Sequence, residues 1–216
     1  MENNIKNWGI KESLAHGWKV TKTNFWFLAA LLLIIYIVSY ALEESAVGFL
    51  FSAFTGFIMA SVALRLSRNK HTDFKNIFDD LSGGKFVQYL IMMIITTIFI
   101  VVGMVLLVFP GIIVAIMTAF STYILIDKPK NVPWNGKAFW ESIKQSKHIT
   151  KGHKWDLFGY FLLALVLNVL GALAFGVGLI VTIPVTLIGL AYIYDNLKKT
   201  ETHEPNAPVG NAEVIE

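Results

Sequence analysis

The stretch LFGYFLLALVLNVLGALAFGVGLIVTIPVTLIGLAYIY, residues 157–194, runs for 38 positions without one Asp, Glu, Lys or Arg. A helix needs roughly 20 apolar residues to cross a hydrocarbon core of about 30 Å. The stretch is therefore long enough for two crossings, with a turn around Gly176-Val177-Gly178. Residues 86–126 form a second charge-free block, of 41 residues. It divides at Phe109-Pro110-Gly111, because proline lacks the amide donor a helix interior needs and glycine tolerates the turn. Two apolar runs precede these blocks. The spacing predicts six spans, near 25–42, 46–64, 86–109, 111–126, 157–175 and 178–194.

Composition agrees. Of 216 residues, 55% are hydrophobic and 15% charged, against about 25% charged in a soluble domain. The absence of cysteine excludes a disulfide framework, a thiolate metal site and a thiol nucleophile. The basic start followed by an apolar run mimics a secretory leader. That run is 18 residues long, however, beyond the ~7–15 of a leader's apolar core, so it is expected to remain as the first span.

The 18 lysines and arginines set the orientation. Four precede the first span, five lie between the second and third, seven between the fourth and fifth, and two follow the sixth. The three opposite turns hold none, and the first of them carries Glu43 and Glu44. Cytoplasmic loops are enriched in Lys and Arg, so both termini are expected in the cytoplasm of a multi-pass plasma-membrane protein.

The basic segments carry helical stripes. Phe74, Ile77, Phe78 and Leu81 make one; Ile10, Leu14 and Trp18 another; Phe139, Ile143 and Ile149 a weaker third. Each suits a short amphipathic helix lying in the headgroup region. Residues 12–26, ESLAHGWKVTKTNFW, and 141–155, ESIKQSKHITKGHKW, are identical at Glu12/Glu141, Ser13/Ser142, Thr21/Thr150, Lys22/Lys151 and Trp26/Trp155. The expected fold is thus an all-α polytopic membrane bundle within residues 1–197. It consists of three pseudo-repeated units at about 8–66, 72–127 and 135–197, each a cytoplasmic amphipathic helix followed by a membrane hairpin. The units end in polar exits at Arg65, Asp127 and Asp195, with the two carboxylates expected to be solvated helix ends. The tail 198–216, with Pro205, Pro208, Gly210 and four glutamates, is expected to be disordered.

Small residues four apart are expected to pack helix against helix: Gly48, Ser52, Gly56 and Ala60; Gly111, Ala115 and Ala119; and Ala164, Asn168, Ala172 and Gly176. The alternative is that these ridges line a path. No charge falls in the middle of a span, so the intramembrane polar candidates are Asn168, Pro184 and Thr186. Asn168 is an interhelical hydrogen-bond partner or part of a site; Pro184 is a structural bend or a hinge. Lys137, Lys144, Lys147, Lys151 and Lys154 face anionic lipid headgroups, each worth about 1 kcal/mol. The leaflet beside them is a better partner than nucleic acid. The histidines lack metal-ligand spacing, and no phosphate loop or nucleophile elbow is present. No cofactor and no catalytic residue are expected.

The segments FPGIIVAIMTAFSTYILID (109–127), FWESIKQSKHITKGHKWDLFGYFLLAL (139–165) and GLIVTIPVTLIGLAYIYDNL (178–197) resemble the membrane domain of the glycerophosphoryl diester phosphodiesterase family and related six-span bacterial proteins. The likeness rests on Pro110-Gly111, the Ser146-to-Gly152 stretch, Trp155, Pro184, and Tyr192 with Tyr194. In some members of that family the membrane domain is joined to a soluble phosphodiesterase barrel. These 216 residues hold no stretch for one, so the resemblance implies a membrane module without that activity. The function expected is an accessory or scaffold protein that binds lipid, a membrane partner or a second copy of itself. A transporter or lipid-handling protein is the alternative.

Overall fold

A computed structural model describes residues 8–42, 46–70, 72, 85–106, 108–128, 137–174 and 176–202. Within these, only the backbone is described at 46, 47, 49, 50, 86, 102–106, 108–110, 137–139, 201 and 202. The chain is all-helical, and no strand occurs among the described residues. The helices are α1 (Ile10–Thr23), α2 (Phe25–Ala41), α3 (Ala46–Ser67), α4 (Lys85–Leu106), α5 (Val108–Thr118), α6 (Ser121–Asp127), α7 (Lys137–Ile149), α8 (Lys154–Leu173) and α9 (Leu179–Thr202). The stripe at 74–81 lies outside the described residues.

By length and composition, α8 and α9 are apolar enough to cross a membrane. The pair α1–α2 makes a third candidate, bent by 88°. Shorter apolar helical stretches occur at Phe51–Ser67, Val87–Val101 and Gly111–Asp127.

Local sequence accounts for the breaks. Asn24 interrupts α1–α2, with its side-chain amide donating back to the Val20 carbonyl at 3.0 Å. Gly176 turns the chain between α8 and α9 with φ +76°, in the left-handed region open to glycine. The division expected at Phe109-Pro110-Gly111 falls a few residues earlier. α4 ends at Leu106 and Pro110 sits in the first turn of α5, where its missing amide has no intrahelical partner to lose. Pro184 lies inside α9, which continues through it. α9 also runs on to Thr202, so residues 198–202, assigned to the tail on composition, are helical. Asn196 and Thr200 support this extension by donating to the Tyr192 and Asn196 carbonyls.

Burial is uneven along the helices. Phe57, Val62, Leu64, Phe120, Leu125, Leu157, Tyr160, Ile188, Ile193 and Tyr194 are fully or almost fully buried. They cluster toward the ends marked by Ser67, Asp127 and Lys154. Toward the other ends apolar side chains are exposed: Leu33, Ile34 and Ile37 on α2, Ile98 and Phe99 on α4, and Leu165, Val166, Val169, Leu170 and Leu173 on α8. Few soluble proteins leave apolar area on this scale uncovered.

The helices α1 and α7 dock by matching faces. Ser13 and Ser142, Val20 and Ile149, and Thr21 and Thr150 are buried in both. Trp26 and Trp155 are exposed to 83% and 84%. α1 lies on α9: Gly17 has no room for a Cβ against the Val185 carbonyl. α7 lies on α5 and α6. There Ser146, the counterpart of Gly17 at the 129-residue offset, accepts a hydrogen bond on Oγ from the Phe120 amide at 3.2 Å. Of the stripe Ile10–Leu14–Trp18, Ile10 and Leu14 are half-buried and pack against the core, whereas Trp18 turns away from it. Trp18 is exposed, and the small polar face Ser13–Gly17–Thr21 meets α9.

Candidate functional site: an ion cluster where three helices end

α3 stops in a Schellman motif. The Lys70 amide donates to the Arg65 carbonyl at 3.0 Å and the Asn69 amide to the Leu66 carbonyl at 3.0 Å. Asn69 takes the left-handed conformation, φ 53°, that this stop requires. The motif fixes Arg68 as the helix cap. α6 ends at Asp127, and α9 brings Tyr194, Asp195 and Lys198 to the same place.

Arg68 binds both carboxylates. Its Nη1 and Nη2 donate to Asp127 Oδ1 and Oδ2 at 2.6 and 2.8 Å. Its Nε donates to Asp195 Oδ1 and Oδ2 at 2.9 and 3.0 Å, and its Nη2 to Asp195 Oδ1 at 2.6 Å. Asp127 Oδ2 also accepts from the Tyr194 hydroxyl at 2.9 Å and from Lys198 Nζ at 2.8 Å. The forked guanidinium suits two-point contact with a carboxylate, which a lysine does not.

Two cations and two carboxylates balance in charge. Burial disfavours the charge on Arg68, yet hydrogen bonds to Asp127 and Asp195 hold its pKa above the usual arginine value. Burial alone would raise the pKa of Asp127, but hydrogen bonds from Arg68 and Lys198 hold it down at about 2. Both groups are thus locked in their charged forms at neutral pH. The cluster is a clamp across three helices. Asp127 and Asp195 are not the solvated helix ends expected from sequence, and the exit cation that meets them is Arg68 rather than Arg65.

Around the clamp, Lys85 is buried in α4 and donates from Nζ to the Ile126 carbonyl at 2.8 Å, capping the C-terminal turn of α6. His16 Nε2 lies 3.2 Å from the Ser67 carbonyl and so donates to it, while the ring stacks on Tyr192 at 4.4 Å. Tyr123 stacks on Tyr194 at 5.7 Å and donates to the Leu187 carbonyl at 3.3 Å. Among the described residues, no three His, Asp or Glu side chains converge to hold a metal ion.

The candidates from sequence lie elsewhere. Asn168 Nδ2 faces Thr186 Oγ1 at 3.4 Å, a long contact. The Thr186 hydroxyl is already directed to its own helix, 3.0 Å from both the Thr182 and Ile183 carbonyls. Asn168 Oδ1 and Thr182 Oγ1 are buried with no hydrogen-bond partner. Pro184 is buried in α9, between Thr182 and Thr186 in sequence. An apolar groove of about 480 Å³ runs between α2 and the start of α9, and Ile183 rather than Asn168 lines it.

The small-residue ridges are only partly inward. Ala60 and Gly111 are buried and Ala115 and Ala119 half-buried; Gly48 is half-buried, whereas Ser52 and Gly56 are exposed. On α8, Ala164 is buried, Asn168 half-buried and Ala172 exposed. A strict four-residue step gains about 40° per turn of a 3.6-residue helix and walks off any face. The buried face of α8 is Leu157–Tyr160–Ala164–Gly171 instead. Gly171 there meets Gly178 so closely that a Cβ on Gly178 would fall 2.7 Å from the Gly171 Cα. Lys144, Lys147, Lys151 and Lys154 are exposed, and the side chain of Lys137 lies outside the described set. Trp18, Trp26, Trp140 and Trp155 are exposed as well.

No family model, curated protein or solved structure matches this chain.

Proposed function

We propose that this chain is a multi-pass plasma-membrane protein of six spans, built as three repeated hairpins with both termini in the cytoplasm. It acts without catalysis, as an accessory or scaffold that binds anionic lipid and a membrane partner. The carrying observation is the wide exposed apolar flank on α2, α4 and α8, bordered at one end by exposed Trp18, Trp26, Trp140 and Trp155 among lysines. Amphipathic aromatic rings settle at the headgroup level, and lysines beside them attract anionic lipid.

The docking of α1 and α7 supports the repeat. α1 of the first unit lies on the exit helix of the third, and α7 of the third lies on the exit helix of the second. The clamp of Arg68, Asp127 and Asp195 then joins the exits of all three units. On this proposal the likeness to the phosphodiesterase family's membrane domain is one of architecture, not of activity.

Vesicle binding tests the lipid contact. Replacing Lys144, Lys147 and Lys151 by Gln should weaken the affinity of a soluble peptide of residues 137–155 for phosphatidylglycerol vesicles roughly 100-fold, at about 1 kcal/mol per lysine. Equal affinity would contradict it.

A second proposal, a transporter or lipid-handling protein, is favoured by one observation, the unpartnered Asn168 Oδ1 and Thr182 Oγ1 within the α8–α9 pair. Loss of a co-purified solute or lipid in Asn168→Leu would support it.

A further inference from the structure

A pocket of about 140 Å³ lies where α7 meets α4 and α5. Its walls are Phe99 of α4, Val114 and Met117 of α5, and Trp140 and Ile143 of α7, with Lys147 beside them. Positions 140, 143 and 147 share one face of a helix. That face borders the buried one, Ser142–Ser146–Ile149, by which α7 docks.

Two threonines, Thr96 and Thr118, complete the lining. The Thr118 hydroxyl donates to the Val114 carbonyl of its own helix at 2.9 Å. Thr96 Oγ1 is buried with no hydrogen-bond partner. A water held in such a place needs two to four polar partners, and apolar cavities of about 150 Å³ stay dry and take a benzene-sized group. One spare hydroxyl does not meet that need, so an apolar occupant fits better than water. Sites for whole small molecules span about 300–1,000 Å³. This pocket therefore takes part of a ligand, and the rest extends outside.

The surroundings say what the rest is. Phe99 is exposed and continues into the apolar flank of α4 at Ile94 and Ile98. Lys147 is exposed as well, and so is Lys144, one turn away on α7. The one carboxylate of α7, Glu141, is paired with Lys128 at 2.8 Å. Lys144 and Lys147 have no ion pair among the described residues. A molecule that matches these surfaces carries an apolar chain for the pocket and flank, and an anion for the two lysines.

We propose that the pocket seats one acyl chain of an anionic phospholipid whose phosphate rests on Lys147 and Lys144. The site rests on the lipid contact proposed above for α7 and deepens it. One lipid is held at a fixed place, in addition to the general attraction of the leaflet.

The test uses the full chain in detergent micelles, titrated with phosphatidylglycerol and read by native mass spectrometry. One lipid should bind saturably. Lys147→Met keeps an apolar stem and removes the charge; it should bind about fivefold more weakly with an unchanged Tm. Lys11→Met removes an exposed lysine of α1 instead and should bind as the native protein does. Val114→Phe fills the pocket and should abolish the saturable lipid. Should that variant fail to fold, one equivalent of phosphatidylglycerol with brominated chains reads the pocket in the native protein. It should quench Trp140, seen as the share of quenching lost in Trp140→Phe. Uptake of several lipids without saturation, full binding by a folded Val114→Phe, or an unquenched Trp140 would each overturn the proposal. The peptide 137–155 carries the lysines but not the α4 and α5 walls. If it binds phosphatidylglycerol vesicles while the full chain takes up no saturable lipid, the pocket falls and the general α7 contact stands; failure of the peptide as well would remove both.

Discussion

Two polar regions of this protein meet opposite fates. At the helix ends, Arg68, Asp127, Asp195 and Lys198 satisfy one another with short bonds. Inside the α8–α9 pair, Asn168 finds one long contact, and its carbonyl oxygen has no partner. Charge left uncompensated in a buried site costs several kcal/mol, so a clamp built of charge must be complete. A single amide costs less and can be left half-served. The stability of the bundle is therefore expected to sit in the clamp, while the amide is dispensable for folding.

Breaking the clamp gives the largest effect. Arg68→Leu leaves two carboxylates facing each other and should lower stability by roughly 2 kcal/mol, the buried-pair cost discounted for partial exposure. Thermal unfolding in detergent reads it. Asp127→Asn in the Arg68→Leu background should then cost much less than it does alone, since the cycle removes both sides of one contact. Additive losses would mean the two side chains do not act together.

Acid should undo the same contact. Asp127 is held at about 2, below its ordinary 3.8. The stability it contributes is complete above pH 3.8 and is lost as pH falls toward 2. His16 gives a milder slope at higher pH. Burial lowers its pKa below 6.5, the Lys19 charge adds to this, and the Ser67 carbonyl and Asp195 oppose it. Its unfolded form binds protons first, so stability should decline as pH drops below 6.5. His16→Gln should flatten that part of the profile.

The smallest effect is expected from Asn168→Leu. The amide's one contact is weak and its oxygen is unserved, so an apolar replacement should shift stability by less than about 1 kcal/mol in either direction. A large loss would mean Asn168 holds α8 to α9 more firmly than a 3.4 Å contact implies.

Much of the helical plan is legible in the sequence. Long charge-free runs and glycine or proline turns place α2, α3, α8 and α9 within a few residues of the expected spans, apart from the outer ends of α8 and α9. The end of α9 is hidden because its last turns, Asp195 to Thr202, look polar, like a tail. Helix faces are harder to read. Small residues at a four-residue step catch the eye, but a 3.6-residue helix buries a step that alternates three and four, as in Leu157–Tyr160–Ala164.

The clamp is half visible. Asp127 and Asp195 stand at corresponding exits, which is a signal. Arg68 lies 59 and 127 residues from them, and no local pattern links it to either. Only the Asn69 stop, which turns the chain at the end of α3, puts its guanidinium between the two acids.

The proposed six-span topology puts the clamp on the cytoplasmic side of the membrane. The chain has no cysteine, so single substitutions report cleanly. The decisive measurement is labelling of intact cells with a membrane-impermeant maleimide. Glu44→Cys and Val177→Cys should react from outside, whereas Lys70→Cys, Lys147→Cys and Lys199→Cys should react only after lysis. Labelling of position 147 or 199 in intact cells would contradict the account.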